Sequence, residues 1–244
     1  MENTQWFEPG HVAIVTGASQ GFGRAVSELL AQRGLNLIVT ARHGDALDDA
    51  ARRLRGTGSV VALAGDVADA AHVHGLVAAA QQAFGRIDLV VNNASTLGAS
   101  PMPALERLGR DTFHALFVTN VFAPLHLIQH ALPLLRRTNG TIVNVTSDAA
   151  QNAYAGWGGY GASKAALEHV SRTLSAELEG SGVSVIVADP GNMQTAMHRD
   201  AEPDEDLSSL PNPAAVAPAL LDAIARPRGG FLRVELQEQT LVSG

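Results

Sequence analysis

The 244-residue sequence contains no cysteine. That absence excludes disulfides, thiol catalysis and thiolate metal sites. Basic residues are in the minority. Seventeen Lys and Arg stand against 24 Asp and Glu, a formal net charge of −7, which argues against a general nucleic-acid binder. No apolar run reaches the ~18 residues of a membrane span. The opening MENTQWFEPGH lacks the basic-then-apolar pattern of a secretion signal. Charged residues make up 17% and hydrophobic residues 46%, too apolar a balance for disorder. These exclusions lead to the expectation of a soluble, cytoplasmic, globular protein. What the chain does have is glycine, 24 of them, and their placement carries information.

Short β-branched runs recur at residues 12–15, 35–40, 60–63, 87–91, 141–145, 183–187 and 231–234. Most are continuously apolar rather than alternating, as strands buried on both faces of a parallel sheet are. Ala- and Leu-rich stretches with helical spacing lie between them, at 23–33, 45–55, 70–84, 112–137, 160–179 and 213–225. Alternation of this kind predicts βαβ units with right-handed crossovers. The expected fold is therefore α/β, a Rossmann-type doubly wound seven-stranded parallel sheet in three layers. One domain is expected over residues 1–244. The irregular, acidic segment at about 192–212 follows a strand end, where such sheets bind ligands, and is expected to be a substrate lid.

The first strand runs into T-G-A-S-Q-G-F-G. Gly17, Gly21 and Gly23 permit a sharp turn and a close approach of backbone N–H groups to a pyrophosphate, with a helix N-terminus behind them. Ser19, Gln20 and Phe22 complete the turn. At the end of the second strand an acid would favour NAD, but the sequence has neutral Ala41 and basic Arg42, which suits a 2′-phosphate. NADP(H) is thus the expected cofactor, with NAD(H) as the alternative, since Gln20 occupies a place where a second base could sit. Asp66 and Val67 follow the third strand and are placed to meet an adenine. Asn93, Ala94 and Ser95 end the fourth, where small residues admit a cofactor and the Asn93 amide can tie strand ends together.

Tyr160 and Lys164 are spaced i, i+4, on one helical face. An ammonium beside a phenol favours the phenolate, so Lys164 is expected to pull the Tyr160 pKa below its usual ~10 and make it a usable acid or base. Ser147 ends the fifth strand, where its hydroxyl could hold a substrate oxygen or simply cap a turn. Asn120 lies four residues before Pro124, which has no N–H to give to the Asn120 carbonyl, so the helix is expected to bend there.

Together these motifs resemble the short-chain dehydrogenase/reductase family, over residues 11–234. T-G-A-S-Q-G-F-G is similar to its cofactor turn, and N-N-A-S to its N-N-A-G, with Ser95 in place of glycine. Asn120, Ser147, Tyr160 and Lys164 match its catalytic tetrad in order and spacing. Residues 190–195 match its nicotinamide-contacting segment through Pro190, Gly191, Met193 and Thr195. The resemblance implies hydride transfer between NADP(H) and a carbonyl or secondary alcohol. In it Tyr160 is the general acid, Lys164 anchors the nicotinamide ribose, and Asn120 holds a relay water through its carbonyl. It further implies a homodimer or homotetramer. The alternatives are an NAD-dependent alcohol dehydrogenase of the same family and a non-catalytic nucleotide sensor on the same fold.

Trp157 and His198 are candidates for the substrate pocket, and Tyr154 a weaker one. Glu168 and His169 are expected to point away from the Tyr160–Lys164 face. His126 and His130, spaced i, i+4, lack a third ligand, so no metal is expected. The expected partner is a small carbonyl or alcohol, with neither nucleic acid nor membrane involved.

Overall fold

Seven strands form one all-parallel sheet: β1 (Val12–Thr16), β2 (Asn36–Ala41), β3 (Val60–Ala64), β4 (Leu89–Asn92), β5 (Thr141–Val145), β6 (Ser184–Asp189) and β7 (Gly230–Glu235). Their order is β3-β2-β1-β4-β5-β6-β7. The computed structural model describes residues 7–54, 56, 58–226 and 229–240. Arg55, the expected end of the second helix, lies outside them.

The helices are α1 (Gly21–Gln32), α2 (Gly44–Arg53), α3 (Ala70–Phe84), α4 (Arg110–Phe117), α5 (Ala123–Thr138), α6 (Gly158–Glu177), α7 (Ala196–Ala201), α8 (Pro213–Ile224) and α9 (Leu236–Thr240). Strand residues alternate between two helical layers, which explains their continuous apolarity. Ala13, Val15, Leu37 and Val39 share a core with Val26 and Leu30 of α1 and Val216 and Leu220 of α8. Val12, Ile14, Ile38 and Val90 face the other way, against Leu76 of α3, Leu127 and Ile128 of α5 and Leu174 of α6. Each such fully buried side chain contributes about 1.5–3 kcal/mol. Asp69 caps α3 by accepting from Ala71 N–H, and Asn212 caps α8 by accepting from Ala214 N–H.

The expected single helix over 112–137 is instead two helices. Between α4 and α5 the chain makes a π-helical turn, Val118–Phe122, in which the Ala123 N–H donates to the Val118 carbonyl five residues back. The cause is Pro124, which supplies no N–H to a regular ladder. By length and hydropathy alone, Arg110–Thr138 is apolar enough to cross a membrane. Its apolar face, with Leu116, Leu127, Ala131 and Leu135, is buried within the fold.

Candidate active site

The strand order reverses between β1 and β4, and the cleft opens at the carboxyl ends of these strands, as doubly wound sheets dictate. Of the residues singled out in the sequence, Gly17, Ser19, Gln20, Gly21, Phe22, Arg42, Asp66, Val67, Asn93, Ala94, Ser95, Ser147, Trp157, Tyr160, Lys164, Pro190, Gly191, Met193, Thr195 and His198 all line it. Gly23 and Asn120 do not reach the wall but stand behind it. Tyr154 is exposed and donates to Asp148 Oδ2 at 2.6 Å, so it is not part of the wall.

The turn after β1 is held from β4. Asn93 Nδ2 donates to the carbonyls of Thr16 (3.0 Å) and Gly17 (3.2 Å), while Thr16 Oγ1 accepts from the N–H groups of Asn93 and Ala94, both at 3.0 Å. Gly17 has φ +67° and no room for a side chain, since a Cβ there would lie 2.8 Å from Asn93 Nδ2. A Cβ at Gly23 would strike the same amide nitrogen and the Gly17 carbonyl. Helix α1 begins at Gly21 rather than Gly23, and Gln20, its N-cap, makes no side-chain cap bond. Its first N–H groups, uncapped by a side chain, and the positive end of the helix dipole therefore sit at the cleft. A bare glycine turn in front of such a helix end fits a dinucleotide's pyrophosphate. Arg42 is exposed at the rim, just past β2. Asp66 also lies at the rim, and its Oδ1 accepts from Ala68 N–H at 2.9 Å.

At the inner end, Tyr160 and Lys164 come from the first turns of α6 and are 8% and 3% exposed. The Lys164 ammonium donates to the Val145 carbonyl at 2.8 Å and lies 5.5 Å from the centre of the Tyr160 ring. Burial pushes the Lys164 pKa down to about 8, against the pull of the Asp189 carboxylate. Burial pushes the Tyr160 phenol up, against hydrogen bonding from the Ser95 and Ser147 hydroxyls. The expected lowering of the Tyr160 pKa does not appear, because desolvation of the phenolate and the carboxylates of Asp189 and Asp148 push it the other way. Of the two roles the sequence left open for Ser147, the cap is observed. Ser147 lines the cleft, and it caps the turn Asp148–Ala150 by accepting from Ala149 N–H at 3.2 Å.

Asn120 is buried at 1% exposure, and its carboxamide is fully engaged. Oδ1 accepts from Thr96 N–H (2.9 Å) and from Ser95 Oγ (3.1 Å); Nδ2 donates to the Thr96 carbonyl (3.0 Å) and to Ser163 Oγ (2.9 Å). Its side chain thus braces β4's outgoing loop against α6.

The segment 192–212, expected to be a lid, is not structureless, since it contains α7 and the short turn Leu207–Ser209. His198 is 8% exposed and pairs with Glu205 Oε2 at 2.7 Å. Trp157 packs edge-on against Tyr160 at 5.7 Å between ring centres and donates to Glu202 Oε1 at 3.0 Å. The substrate side of the cleft is otherwise apolar, with Leu97, Met193, Met197 and Ala201.

Glu168 is a correction. It continues the Tyr160–Lys164 face of α6 and is 4% exposed. It accepts from Thr146 Oγ1 (2.9 Å) and from Arg233 Nε (3.2 and 3.3 Å). Arg233 reaches on toward Asp189, whose buried carboxyl is pushed up by desolvation and accepts from Gly191 N–H at 2.9 Å. The signal was present in the i, i+4, i+8 spacing of residues 160, 164 and 168. His126 and His130 do pair, Nε2 to Nε2 at 2.8 Å, but no group of three metal-ligating side chains occurs among the described residues.

Comparison with known proteins agrees with this geometry. A family model described as short chain dehydrogenase matches residues 11–206. The chain is 34% identical over 217 residues to a rhamnolipids biosynthesis 3-oxoacyl-[acyl-carrier-protein] reductase of Pseudomonas aeruginosa, covering 83% of this chain and 82% of that one. It is 37% identical over 191 residues to a 1-deoxy-11-beta-hydroxypentalenate dehydrogenase of Streptomyces avermitilis, covering 77% and 70%. A short chain dehydrogenase of Shigella flexneri, solved in complex with NADP, superposes with a TM-score of 0.84 at 26% identity over 96% of this chain and 99% of that one. The match spans the sheet, the glycine turn and the Tyr160–Lys164 helix alike, and the chain belongs to the short-chain dehydrogenase family of NAD(P)-dependent oxidoreductases.

Proposed function

We propose that the protein is an NADPH-dependent reductase of a small, mainly apolar ketone or aldehyde. The observation that carries this reading is the buried phenol of Tyr160, one helical turn from the buried Lys164, in one cleft with Ser147 and an uncapped helix end. A phenol whose pKa lies above its ordinary ~10 holds its proton at neutral pH, as a donor must. A nicotinamide cofactor, when bound, supplies the hydride. Gly17, Gly21 and the first turn of α1 would hold its pyrophosphate and Lys164 its ribose.

The chain's own part is placement and proton supply. Ser147 Oγ holds the carbonyl oxygen beside Tyr160. Tyr160 gives its proton to that oxygen as negative charge develops there. Trp157, Met193, Met197 and the lid exclude water from the reacting carbon. Asn120, its amide fully bonded, fixes the loop of Ser95 and Thr96, and its main-chain carbonyl, to which Pro124 has no N–H to give, would hold the relay water. Arg42 at the rim supports NADP, as does the likeness to a protein solved with NADP. Cytoplasmic location and a homodimer or homotetramer complete the reading.

Carbonyl-dependent NADPH oxidation over a panel of ketones, diketones, quinones, sugars and acyl thioesters tests it. Tyr160→Phe is expected to lose at least ~100-fold in kcat with cofactor affinity nearly intact, the usual scale of a positioned acid. Near-wild-type turnover in that variant refutes the assignment of the acid. Arg42→Asp is expected to shift the kcat/KM ratio toward NAD by at least tenfold; a wild type that already prefers NAD refutes the role given to Arg42.

A further inference from the structure

Residues 190–192 carry the chain from β6 along the cleft wall. Their backbone is tied down from two sides. The Gly191 N–H donates to Asp189 Oδ1 at 2.9 Å. The carbonyls of Pro190 and Asn192 both accept from Gln237 Nε2, at 3.0 and 2.6 Å. Gln237 belongs to α9, 45 residues beyond Asn192. Two carbonyls on one amide atom fix which end of the carboxamide is the nitrogen. The Gln237 side chain also lies across Gly191, which has φ +67°. A Cβ at Gly191 would come 2.7 Å from Gln237 Nε2 and 2.8 Å from its Cδ, so conformation and space both call for glycine there.

A second, separate anchor holds the chain just beyond. The Gln194 N–H donates to the Pro211 carbonyl at 3.0 Å, and Gln194 Nε2 to the Leu210 carbonyl at 2.6 Å. Buried Met193 stands between the two anchors on the cleft wall. Among the described residues no protein group pairs with its N–H or its carbonyl. Buried backbone groups are nearly always paired, and a donor and an acceptor on one residue match a carboxamide ligand. We propose that Gln237 is a positioning residue for the nicotinamide end of the cofactor. It holds residues 190–192 from behind the wall, and so sets where Met193 meets the carboxamide of the ring. The Gln194 anchor leaves the rest of the cofactor's site independent of Gln237.

This inference rests on a nicotinamide cofactor lying in the cleft as the proposed function has it. The experiment compares the Kd of NADPH with that of 2′-phospho-ADP-ribose, which has every part of that cofactor except the nicotinamide. Gln237→Met keeps the length of the side chain and loses both donated hydrogen bonds. Gln237→Glu keeps its shape and turns a carboxylate oxygen toward two carbonyls. Each variant is expected to weaken NADPH about tenfold and 2′-phospho-ADP-ribose by less than about twofold. Turnover is expected to fall through kcat, since the ring is displaced from the carbonyl carbon, with the KM of the carbonyl substrate unchanged. An equal loss for both ligands overturns the proposal and makes Gln237 a residue of the fold. No loss for either overturns it too.

Hydrogen exchange of the wild type gives a readout that needs no variant. The Met193 amide is expected to gain protection with NADPH and none with 2′-phospho-ADP-ribose; protection by both ligands, or by neither, overturns the proposal. Gln237 is half-buried in the last described helix, and in its variants the protection gained with NADPH is expected to shrink. The two readings fail in different ways. A wild type that prefers NADH refutes the NADP reading, and the same comparison then uses NADH and ADP-ribose. A wild type that binds no nicotinamide cofactor refutes the proposed function, and this inference falls with it. Tight NADPH binding that is the same in wild type and both variants refutes this inference alone.

Discussion

Lys164 is essential to the proposed chemistry and costly to the fold, and the two can be separated by pH. Its ammonium lies at 3% exposure. The structure compensates it with one carbonyl, that of Val145, and with the nearby charge of Asp189. The balance favours the neutral amine, and the pKa falls from 10.5 to about 8. At 1.36 kcal/mol per pH unit, that fall corresponds to about 3 kcal/mol between the two protonation states.

The unfolded chain keeps this proton up to about pH 10.4, whereas the folded chain releases it near pH 8. Between those values the unfolded state binds more protons, so stability rises with pH. The penalty is present in full below pH 8 and is lifted as pH approaches 10.5. Lys164→Met, similar in length and apolar, carries no such penalty. The stability of wild type minus that of the variant should therefore grow by about 3 kcal/mol between pH 7 and pH 10.5.

At pH 7 the variant should be at least as stable as wild type, the relief of the buried charge being partly offset by the donor lost to the Val145 carbonyl, about 1–3 kcal/mol. Denaturant unfolding of cofactor-free protein across that pH range measures the difference. Tyr160, pushed up, makes both proteins less stable above pH 10 by the same amount and cancels. A flat or shrinking difference would refute the buried-ammonium argument, whatever the variant does to activity. Turnover is expected to collapse in it, a trade of function for stability.

Two further outcomes follow from packing. Gly23→Ala drives a methyl group into Asn93 Nδ2 and the Gly17 carbonyl, so it should cost about 1–3 kcal/mol by overpacking and weaken cofactor binding at least tenfold; an unchanged melting temperature and Kd would refute the cradle. Glu168→Ala removes one of three carboxylates around Arg233, which keeps Glu235 at 2.6 Å and Asp189 at 3.7 Å, and it takes the acceptor from Thr146 Oγ1, so it should cost about 1–3 kcal/mol. Arg233→Met takes the shared cation from Glu168, Glu235 and the buried Asp189 and should lower the melting temperature more than Glu168→Ala does; an equal or smaller loss would show that the cluster does not depend on Arg233.

The strands and the site's catalogue of residues were legible because both are local. A continuously apolar run bounded by turns has few options other than a strand buried on both faces, and the seven expected runs fall within two residues of the observed strands. What was not legible depends on partners distant in sequence. Pro124 signals a break, yet it cannot reveal that the Asn120 side chain will lock onto Thr96, 24 residues earlier. The face of α6 that carries Tyr160 and Lys164 reaches Glu168 by simple spacing. The Glu168 charge is balanced there by Arg172, one turn on at 3.6 Å, and by Arg233, 65 residues on, and only the second lies out of reach of local reading.

Electrostatics shows the same limit with a reversed sign. Taken as an isolated pair, an ammonium near a phenol lowers the phenol's pKa. In the folded chain both groups are moved toward neutrality, Lys164 down to about 8 and Tyr160 above its ordinary value. Lys164 nevertheless keeps its charge below about pH 8, so in the neutral range the phenol holds its proton beside an ammonium rather than a neutral amine. The pair that the spacing of α6 suggests is present in the fold, and burial, to which spacing is blind, sets the sign of each shift.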